Sequence, residues 1–82
     1  MLEGTPVLPL QSMDEGDWAD IAEVRGDSAW ISRLAELGIA AGRRLQVLRR
    51  GTPCLLQLGS ARVSLRQDAG SQILVRRVVL AD

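Results

Sequence analysis

The segment "SAWISRLAELGIAAGRRL", residues 28–45, decides which fold the chain adopts. In one interpretation, LAELGI is the first helix and the turn of a helix-turn-helix unit, and the arginines after it belong to a helix that reads DNA. In the other interpretation, a single short helix stops at Gly38 and a strand follows. The two interpretations predict proteins of different function.

Three features of the segment exclude the helix-turn-helix. Ala35 precedes Gly38 by three positions, whereas that motif places its small residue four positions before the turn glycine. A second helix would run through Gly42, at a cost of about 1 kcal/mol relative to alanine in a helix interior. Beyond Gly42 the apolar residues recur with period two, and Arg44 stands where a recognition helix needs a buried aliphatic side chain. The segment therefore predicts one helix followed by a strand.

The predicted helix covers residues 28–37, and both of its ends carry clear signals. At the start, the side chain of Asp27 or of the serine after it would accept a hydrogen bond from a free N–H group of the first turn. At the end, Gly38 suits the left-handed position, and Ile39 would fold back on Leu34 as in a Schellman motif. The apolar face consists of Ile31, Leu34 and Ala35, with Trp30 and Leu37 at its edge.

Short segments with period-two alternation predict five strands, over 18–24, 44–50, 54–58, 61–66 and 73–80. The alternation of the first strand slips between Ile21 and Ala22, which predicts a bulge or a bend. Gly59 and the serine after it suit a two-residue hairpin loop. In the strand that follows this loop, the side chains predicted to point inward are Ala61, Val63 and Leu65.

Together these elements predict a mainly β domain with a single core. Its architecture would be a small closed or nearly closed barrel of five to six short strands, with one helix and a short helical turn at about 66–70. Residues 1–9 carry two prolines and no apolar period, so they are predicted to form a loosely ordered N-terminal arm before a domain over 10–82. The glycines predicted to be structural are Gly38, Gly42 and Gly59.

Net charge is zero, but the charges are unevenly distributed along the chain. Residues 1–42 hold eight acidic side chains and two arginines, and residues 43–82 hold eight arginines and two acidic side chains. We favour a fold in which the two halves pack together and their charges interleave. A bipolar surface that orients a partner is the alternative.

The composition argues against an enzyme and against a metal or cofactor site. The chain has no histidine, lysine or tyrosine, and its one thiol, Cys54, is predicted to be a small buried hydrophobe. A ferrous or zinc site would need imidazole or thiolate ligands. The acidic residues Asp14, Glu15, Asp17 and Asp20 are interpreted as a solvated turn, and a weak surface metal site is the alternative. The longest uncharged run, the eleven residues 51–61, is too short for a membrane helix, so we expect a cytoplasmic protein.

The order of these signals resembles the FeoA family, small cytoplasmic proteins of bacterial ferrous iron uptake. The resemblance runs from about Leu10 to Val79 and rests on four segments. These are "GDWADIAEV" (16–24), "RLAELGIAAG" (33–42), "LQVLRRG" (45–51) with the proline at 53, and "RVSLRQDAGSQILV" (62–75).

The resemblance implies an SH3-like barrel with a helical insertion, and a partner in FeoB, the membrane ferrous iron transporter with a cytoplasmic GTPase domain. Two positions depart from the family pattern. Ala41 stands where many relatives have proline, and the turn at 51–54 is shorter than usual. The same barrel forms the C-terminal domain of metal-dependent repressors, whose DNA-binding domain this chain lacks.

With an enzyme and a metal site disfavoured, binding to a partner is the function that the sequence favours. Trp30, Leu37 and Ile39 could form an exposed apolar patch that anchors a partner, although Trp30 capping the core is at least as good an interpretation. Arg33, Arg49 and Arg50 could meet an acidic partner, and ordinary solvated arginines are the alternative.

We therefore expect a non-enzymatic accessory protein that docks on the cytoplasmic part of a FeoB-type transporter and modulates transport, without a cofactor, nucleic acid or membrane insertion. An arginine such as Arg49 or Arg50 could also reach the nucleotide site of the partner. A regulatory SH3-like barrel that binds another protein or nucleic acid through the basic second half is the alternative. The sequence is also compatible with a homo-oligomer.

Overall fold

The computed structural model describes residues 6–66 and 72–79. Its strands are β1 (Leu8–Pro9), β2 (Trp18–Arg25), β3 (Arg44–Arg49), β4 (Cys54–Leu58), β5 (Ala61–Leu65) and β6 (Gln72–Val78). They form one antiparallel sheet in the order β1-β6-β2-β3-β4-β5. A 3₁₀ turn covers Leu10–Ser12, and the helix α1 covers Ser28–Glu36. The predicted mainly β fold of five to six short strands and one helix is confirmed.

One face of this sheet surrounds the core. Side chains alternate between the two faces of a strand, and each of β2 to β6 contributes two or three alternate side chains to a single buried apolar cluster. Leu34 of α1 and Ile39 just after it add to this cluster from the side of the helix. From the chain before β2, Leu10 and Met13 complete it. The helix is therefore attached to the sheet through few but fully buried side chains.

Both ends of α1 follow the predicted chemistry. The Asp27 carboxylate accepts a hydrogen bond from the Trp30 backbone N–H at 2.9 Å. Gly38 adopts φ +93°, and the N–H of Ile39 donates to the carbonyl of Leu34 at 2.9 Å. The N–H of Gly38 donates to the second orphan carbonyl, that of Ala35, at 3.0 Å. These two bonds define the Schellman motif, so its prediction is confirmed.

The bulge in β2 is also confirmed. The pairing of β2 with β6 shifts register between Ile21 and Glu23, which leaves Ala22 as the extra residue. A bulge bends the strand that carries it. Beside this bulge, β2 is held to the segment after α1, where the Ile21 N–H donates to the Arg43 carbonyl at 2.8 Å and the Gly42 N–H donates to the Ile21 carbonyl at 2.8 Å.

The structure differs from the sequence prediction at several positions. The end of the predicted N-terminal arm, Leu8–Pro9, pairs with β6 as β1. Ala61, predicted to point inward, is exposed because it begins β5 directly after the hairpin loop. The helix ends at Glu36 rather than 37, and the 3₁₀ turn had no signal in the sequence. The helical turn predicted at about 66–70 falls mostly outside the described residues.

The charges of the two halves interleave, as the favoured interpretation predicted. Three ion pairs join an acidic residue of the first half to an arginine of the second. They are Asp20–Arg44 at 2.7 Å, Asp14–Arg50 at 3.5 Å and Asp17–Arg77 at 3.3 Å. All three pairs are substantially exposed, so their contribution to stability is small. They show that acidic side chains of the first half lie beside arginines of the second half.

Candidate functional site

Three of the predicted docking residues lie on α1 or at its C-cap, and the structure divides this helix into two flanks. An α-helix has about 3.6 residues per turn, so the buried Leu34 separates two rows of side chains. Trp30, Arg33 and Leu37 lie on one side of it, which we call the outer flank. The other row, Ile31 and Ala35, we call the groove flank. The predicted docking residues of α1 all belong to the outer flank.

The outer flank is only partly available to a partner. Trp30 is half-buried and packs against the core, while Arg33 is exposed. Leu37 is 48 % exposed, so it presents apolar surface to solvent. Ile39 was grouped with these residues, but its side chain is 1 % exposed and lies in the core, because it makes the hydrophobic contact of the Schellman motif. The apolar surface of this flank therefore comes mainly from Leu37.

The groove flank faces a concavity that the sequence analysis did not identify. This concavity, the α1 groove, lies between α1, the bulged part of β2 and the segment after the helix, and has a volume of about 310 Å³. Its lining is mostly small and apolar, with Glu23 as the one charged residue: Ala22, Glu23, Val24, Ile31, Ala35, Ile39, Ala40 and Ala41. The bulge signal at Ala22 and the alanines after Gly38 were visible in the sequence, but their convergence depends on the pairing of β2.

The charge at the rim of the α1 groove is compensated. The Arg25 guanidinium donates hydrogen bonds to the Glu23 carboxylate at 3.0 and 3.3 Å. These bonds hold the pKa of Glu23 below its ordinary value and raise that of Arg25. Glu23 is thus an ion-paired anion at neutral pH rather than a proton donor. The groove offers apolar surface and no acid–base chemistry.

The two arginines beside the β3–β4 turn are placed differently from each other. Arg50 is held by the acidic turn before β2, since its guanidinium lies 3.5 Å from the Asp14 carboxylate and 3.5 Å from the Gln11 carbonyl. Its backbone N–H donates to the Glu15 carboxylate at 3.1 Å. Arg49 is exposed and makes no ion pair with any residue of the described ranges.

A second cavity, of about 180 Å³, lies next to this turn. It is lined by Leu10, Gln11, Met13, Val47, Arg50, Gly51, Thr52 and Cys54. The Cys54 side chain is buried there, and burial raises the pKa of its thiol above the ordinary value. This burial confirms the predicted small buried hydrophobe. A thiol with a raised pKa is also a poor nucleophile at neutral pH.

The acidic turn before β2 has a structural role. The Asp17 carboxylate accepts a hydrogen bond from the Asp14 N–H at 2.9 Å and also pairs with Arg77. Asp20 pairs with Arg44, whose hydrogen bond lowers the pKa of the Asp20 carboxyl. Over residues 6–66 and 72–79, no three potential metal ligands of the His, Cys, Asp or Glu type come together. The described part of the chain also contains no helix with the length and apolar character needed to cross a membrane.

Comparison with known proteins identifies relatives of this fold. Residues 8–77 match the model of the family described as FeoA domain. The solution structure of a FeoA protein from Chlorobium tepidum is 26 % identical, with a TM-score of 0.79 over 92 % of this chain and 74 % of that one. No curated protein gave a significant match to the sequence.

Two further solved structures share the fold. A crystal structure of an iron uptake regulatory protein (FeoA) is 24 % identical, with a TM-score of 0.79 over 89 % of this chain and 100 % of that chain. A manganese-dependent transcriptional repressor is 27 % identical, with a TM-score of 0.80 over 90 % of this chain. The likeness covers 43 % of the repressor, so this chain is similar to less than half of it. These likenesses confirm the SH3-like barrel.

Proposed function

The chain belongs to the FeoA domain family, and we propose on this basis that it is a non-enzymatic accessory protein of ferrous iron uptake. In this proposal it docks in the cytoplasm on the cytoplasmic part of a FeoB-type GTPase transporter and modulates transport. The observation that carries the proposal is the family match over residues 8–77, nearly the whole described domain. The relative from Chlorobium tepidum, a FeoA protein by name, supports it.

The docking element in this proposal is α1 with the α1 groove beside it. Exposed apolar surface that other residues do not cover is a recurring feature of protein interfaces. Ile31 and Ala35 line the α1 groove, and Leu37 supplies apolar surface on the outer flank. A partner helix or loop that inserts apolar side chains here would gain about 25 cal/mol for each Å² of apolar surface removed from water.

Direct titration tests the docking. Purified chain is titrated against the soluble GTPase domain of the transporter and against the full-length transporter in detergent, each with and without guanine nucleotide. The proposal predicts saturable binding to at least one of the two. Absence of binding to both, under all nucleotide conditions, contradicts it.

Two variants of the same helix then locate the interface. Ala35→Arg places a long cationic side chain over the α1 groove, and it should weaken binding at least about tenfold, which is a loss of about 1.4 kcal/mol. Ser32→Arg adds the same side chain on the exposed side of α1 away from Leu34, and it should leave binding unchanged. If both variants weaken binding equally, or if neither weakens it, the α1 groove is excluded as the docking site.

A finer proposal concerns hydrolysis by the partner. An arginine brought to a nucleotide site in trans stabilises the charge of the transition state. Arg49 suits this role better than Arg50, because Arg50 is engaged by Asp14 and by the Gln11 carbonyl. Arg49→Ala should then remove a stimulated GTPase rate that Arg50→Ala retains. The proposal is ruled out if the stimulated GTPase rate survives both substitutions, or if the unmodified protein does not stimulate hydrolysis.

The likeness to a manganese-dependent transcriptional repressor supports a second candidate function. In that candidate the barrel is a regulatory module that binds another protein or nucleic acid through the arginines of its second half. Retention on DNA or RNA that falls steeply with salt would favour it, because phosphate contacts release counterions. Retention that does not respond to salt, or no retention, favours the accessory protein.

A further inference from the structure

The strand β5 lies at one end of the sheet and pairs on one side only within the described residues. It runs antiparallel to β4 through five residue pairs, and the sheet order ends with it. An unpaired strand edge presents a row of free N–H and C=O groups, which are a template for another strand. The other end of the sheet, β1, is only two residues long. The open edge of useful length is therefore that of β5.

The register shows which backbone groups face this edge. Leu58 and Ala61 flank the two-residue loop that begins with Gly59, at φ +59°, so they form the hydrogen-bonded pair that closes the turn. Hydrogen-bonded and non-hydrogen-bonded pairs alternate along an antiparallel ladder. Arg62 and Ser64 therefore belong to non-hydrogen-bonded pairs, and their N–H and C=O groups point away from β4 toward the open edge.

The side chains of the same residues lie on the outer face of the sheet. Val63 and Leu65 are buried, whereas Arg62 and Ser64 are exposed, and the exposed Arg66 follows directly after β5 in the same phase. We call Arg62, Ser64 and Arg66, with the outward backbone of the first two, the β5 edge. A segment added here would meet an arginine, a small hydroxyl and a second arginine at alternate positions.

No acidic residue of β4 faces the β5 edge. The residue opposite Arg62 is Gln57, whose amide donates to the Gly59 carbonyl at 2.8 Å, and the residue opposite Ser64 is Leu55. The ion pairs of the described chain all lie elsewhere and involve neither Arg62 nor Arg66. The β5 edge is therefore cationic.

In the register centred on Ser64, this charge pattern disfavours a second copy of the chain as the occupant. Antiparallel pairing of two β5 strands about Ser64 would place Arg62 of one copy opposite Arg66 of the other. Like charges directly opposite each other destabilise a strand pair. Acidic side chains at the same positions would stabilise it, and a backbone that adds to the sheet would satisfy the open N–H and C=O groups.

We propose that β5 accepts an extended segment of another protein by strand addition, and that this segment carries acidic side chains four positions apart, opposite Arg62 and Arg66. Its middle outward residue is small and faces Ser64. The main-chain bonds supply affinity and the two acidic side chains supply selectivity. This inference does not depend on the proposed function, because the β5 edge and the α1 groove are different surfaces of the molecule.

The test uses fluorescein-labelled heptapeptides and fluorescence anisotropy at low salt. The acidic probe is Thr-Glu-Val-Thr-Val-Glu-Thr, with its two glutamates four positions apart. The control peptide carries lysine in place of both glutamates. The acidic peptide should bind and the lysine peptide should not. Equal binding of the two peptides, or no binding of the acidic one, overturns the proposal, as does binding of a single-stranded oligonucleotide in preference to the acidic peptide.

Variants of β5 separate the contribution of the backbone from that of charge. Ser64→Pro removes an N–H aimed at the open edge without touching the bonds to β4, and proline is tolerated at such edge positions. It should weaken binding roughly fivefold or more, whereas the control Ser64→Ala should bind as the unmodified chain does. Arg62→Glu should reverse the preference between the two peptides. Retention of full acidic-peptide binding by Ser64→Pro and by Arg62→Glu overturns the proposal.

A modified peptide tests strand addition on the unmodified chain, so the result does not depend on the folding of Ser64→Pro. Methylation of the amide nitrogens at alternate residues blocks hydrogen bonding on one side of an extended peptide. Methylation of one set of alternate amides in the peptide should abolish binding, and methylation of the other set should leave binding largely intact. Equal behaviour of the two methylated peptides contradicts strand addition.

Discussion

The α1 groove and the β5 edge are both exposed and both border the same core, but they offer a partner opposite kinds of contact. The α1 groove is concave and lined mostly by alanine and isoleucine, with its backbone polar groups engaged around the Schellman motif. The β5 edge is cationic and presents backbone groups that no other strand of the described residues pairs with. The first suits inserted apolar side chains, and the second suits an extended main chain with acidic side chains.

The difference indicates that one small barrel offers partners two chemically different surfaces. Burial in a groove depends on shape and apolar area, so its strength responds little to salt. Strand addition beside arginines depends on charge, so it is screened as ionic strength rises. Variants and salt can therefore separate the two surfaces within one molecule.

The largest effect is expected in the core beneath α1. Ile39→Ala should lower the free energy of unfolding by about 2–5 kcal/mol, because a fully buried isoleucine is replaced by a cavity. The control Leu37→Ala removes a side chain that is 48 % exposed, and it should change stability by no more than about 0.5 kcal/mol. Urea denaturation followed by circular dichroism measures both. Similar losses for the two variants would contradict the division between the core and the outer flank.

A smaller loss is expected at the end of α1. Gly38 has φ +93°, so Gly38→Ala should destabilise the chain by about 1–2 kcal/mol, the cost of the left-handed conformation for a residue with a Cβ atom. Gly38→Asn should cost less, since asparagine tolerates this conformation. The same urea titration tests the order of the two variants. If both are as stable as the unmodified chain, the Schellman motif does not fix the end of the helix.

Salt should distinguish the two surfaces by a moderate effect on binding. Raising ionic strength from 0.1 M to 1 M shortens the screening length from about 10 Å to about 3 Å. Binding of the acidic peptide to the β5 edge should weaken several-fold over this range, while transporter docking at the α1 groove should change little. Isothermal titration at several salt concentrations measures both. An identical salt dependence at the two surfaces would remove the distinction between them.

The smallest effect is expected for the ion pair on the outer face of the sheet. Arg44 holds the pKa of Asp20 below its ordinary value through their hydrogen bond, so the pair stabilises the fold at neutral pH. This contribution is present above the ordinary carboxyl pKa and disappears as pH falls through the lowered value. Asp20→Asn should therefore be slightly less stable than the unmodified chain at neutral pH and equal to it in acid. A difference that grows on acidification would contradict this assignment.

Local features could be predicted from the sequence, and features that depend on distant pairing could not. The two ends of α1 and the bulge in β2 each depend on a few neighbouring residues, so their signals were sufficient. The strand β1 depends on β6, which lies near the other end of the sequence, and two residues carry no period of their own.

The candidate surfaces follow the same rule. Leu37 was identified because its place on the helix is set by spacing alone. The α1 groove brings Ala22 of β2 to Ile31 and Ala35 of α1 and to Ala40 beyond it, which requires the tertiary arrangement. The β5 edge was not predicted, because the position of that strand at the end of the sheet depends on the order of all the strands.

The central claim is that α1 and its groove dock on the transporter. Nuclear magnetic resonance of the ¹⁵N-labelled chain, titrated with the unlabelled cytoplasmic domain of the transporter, tests it most directly. The account predicts the largest shift changes at the amides of Ile31, Ala35 and Ala40, with Arg62 and Ser64 unchanged. Shift changes confined to the β5 edge, or no changes at saturating concentrations, would contradict it.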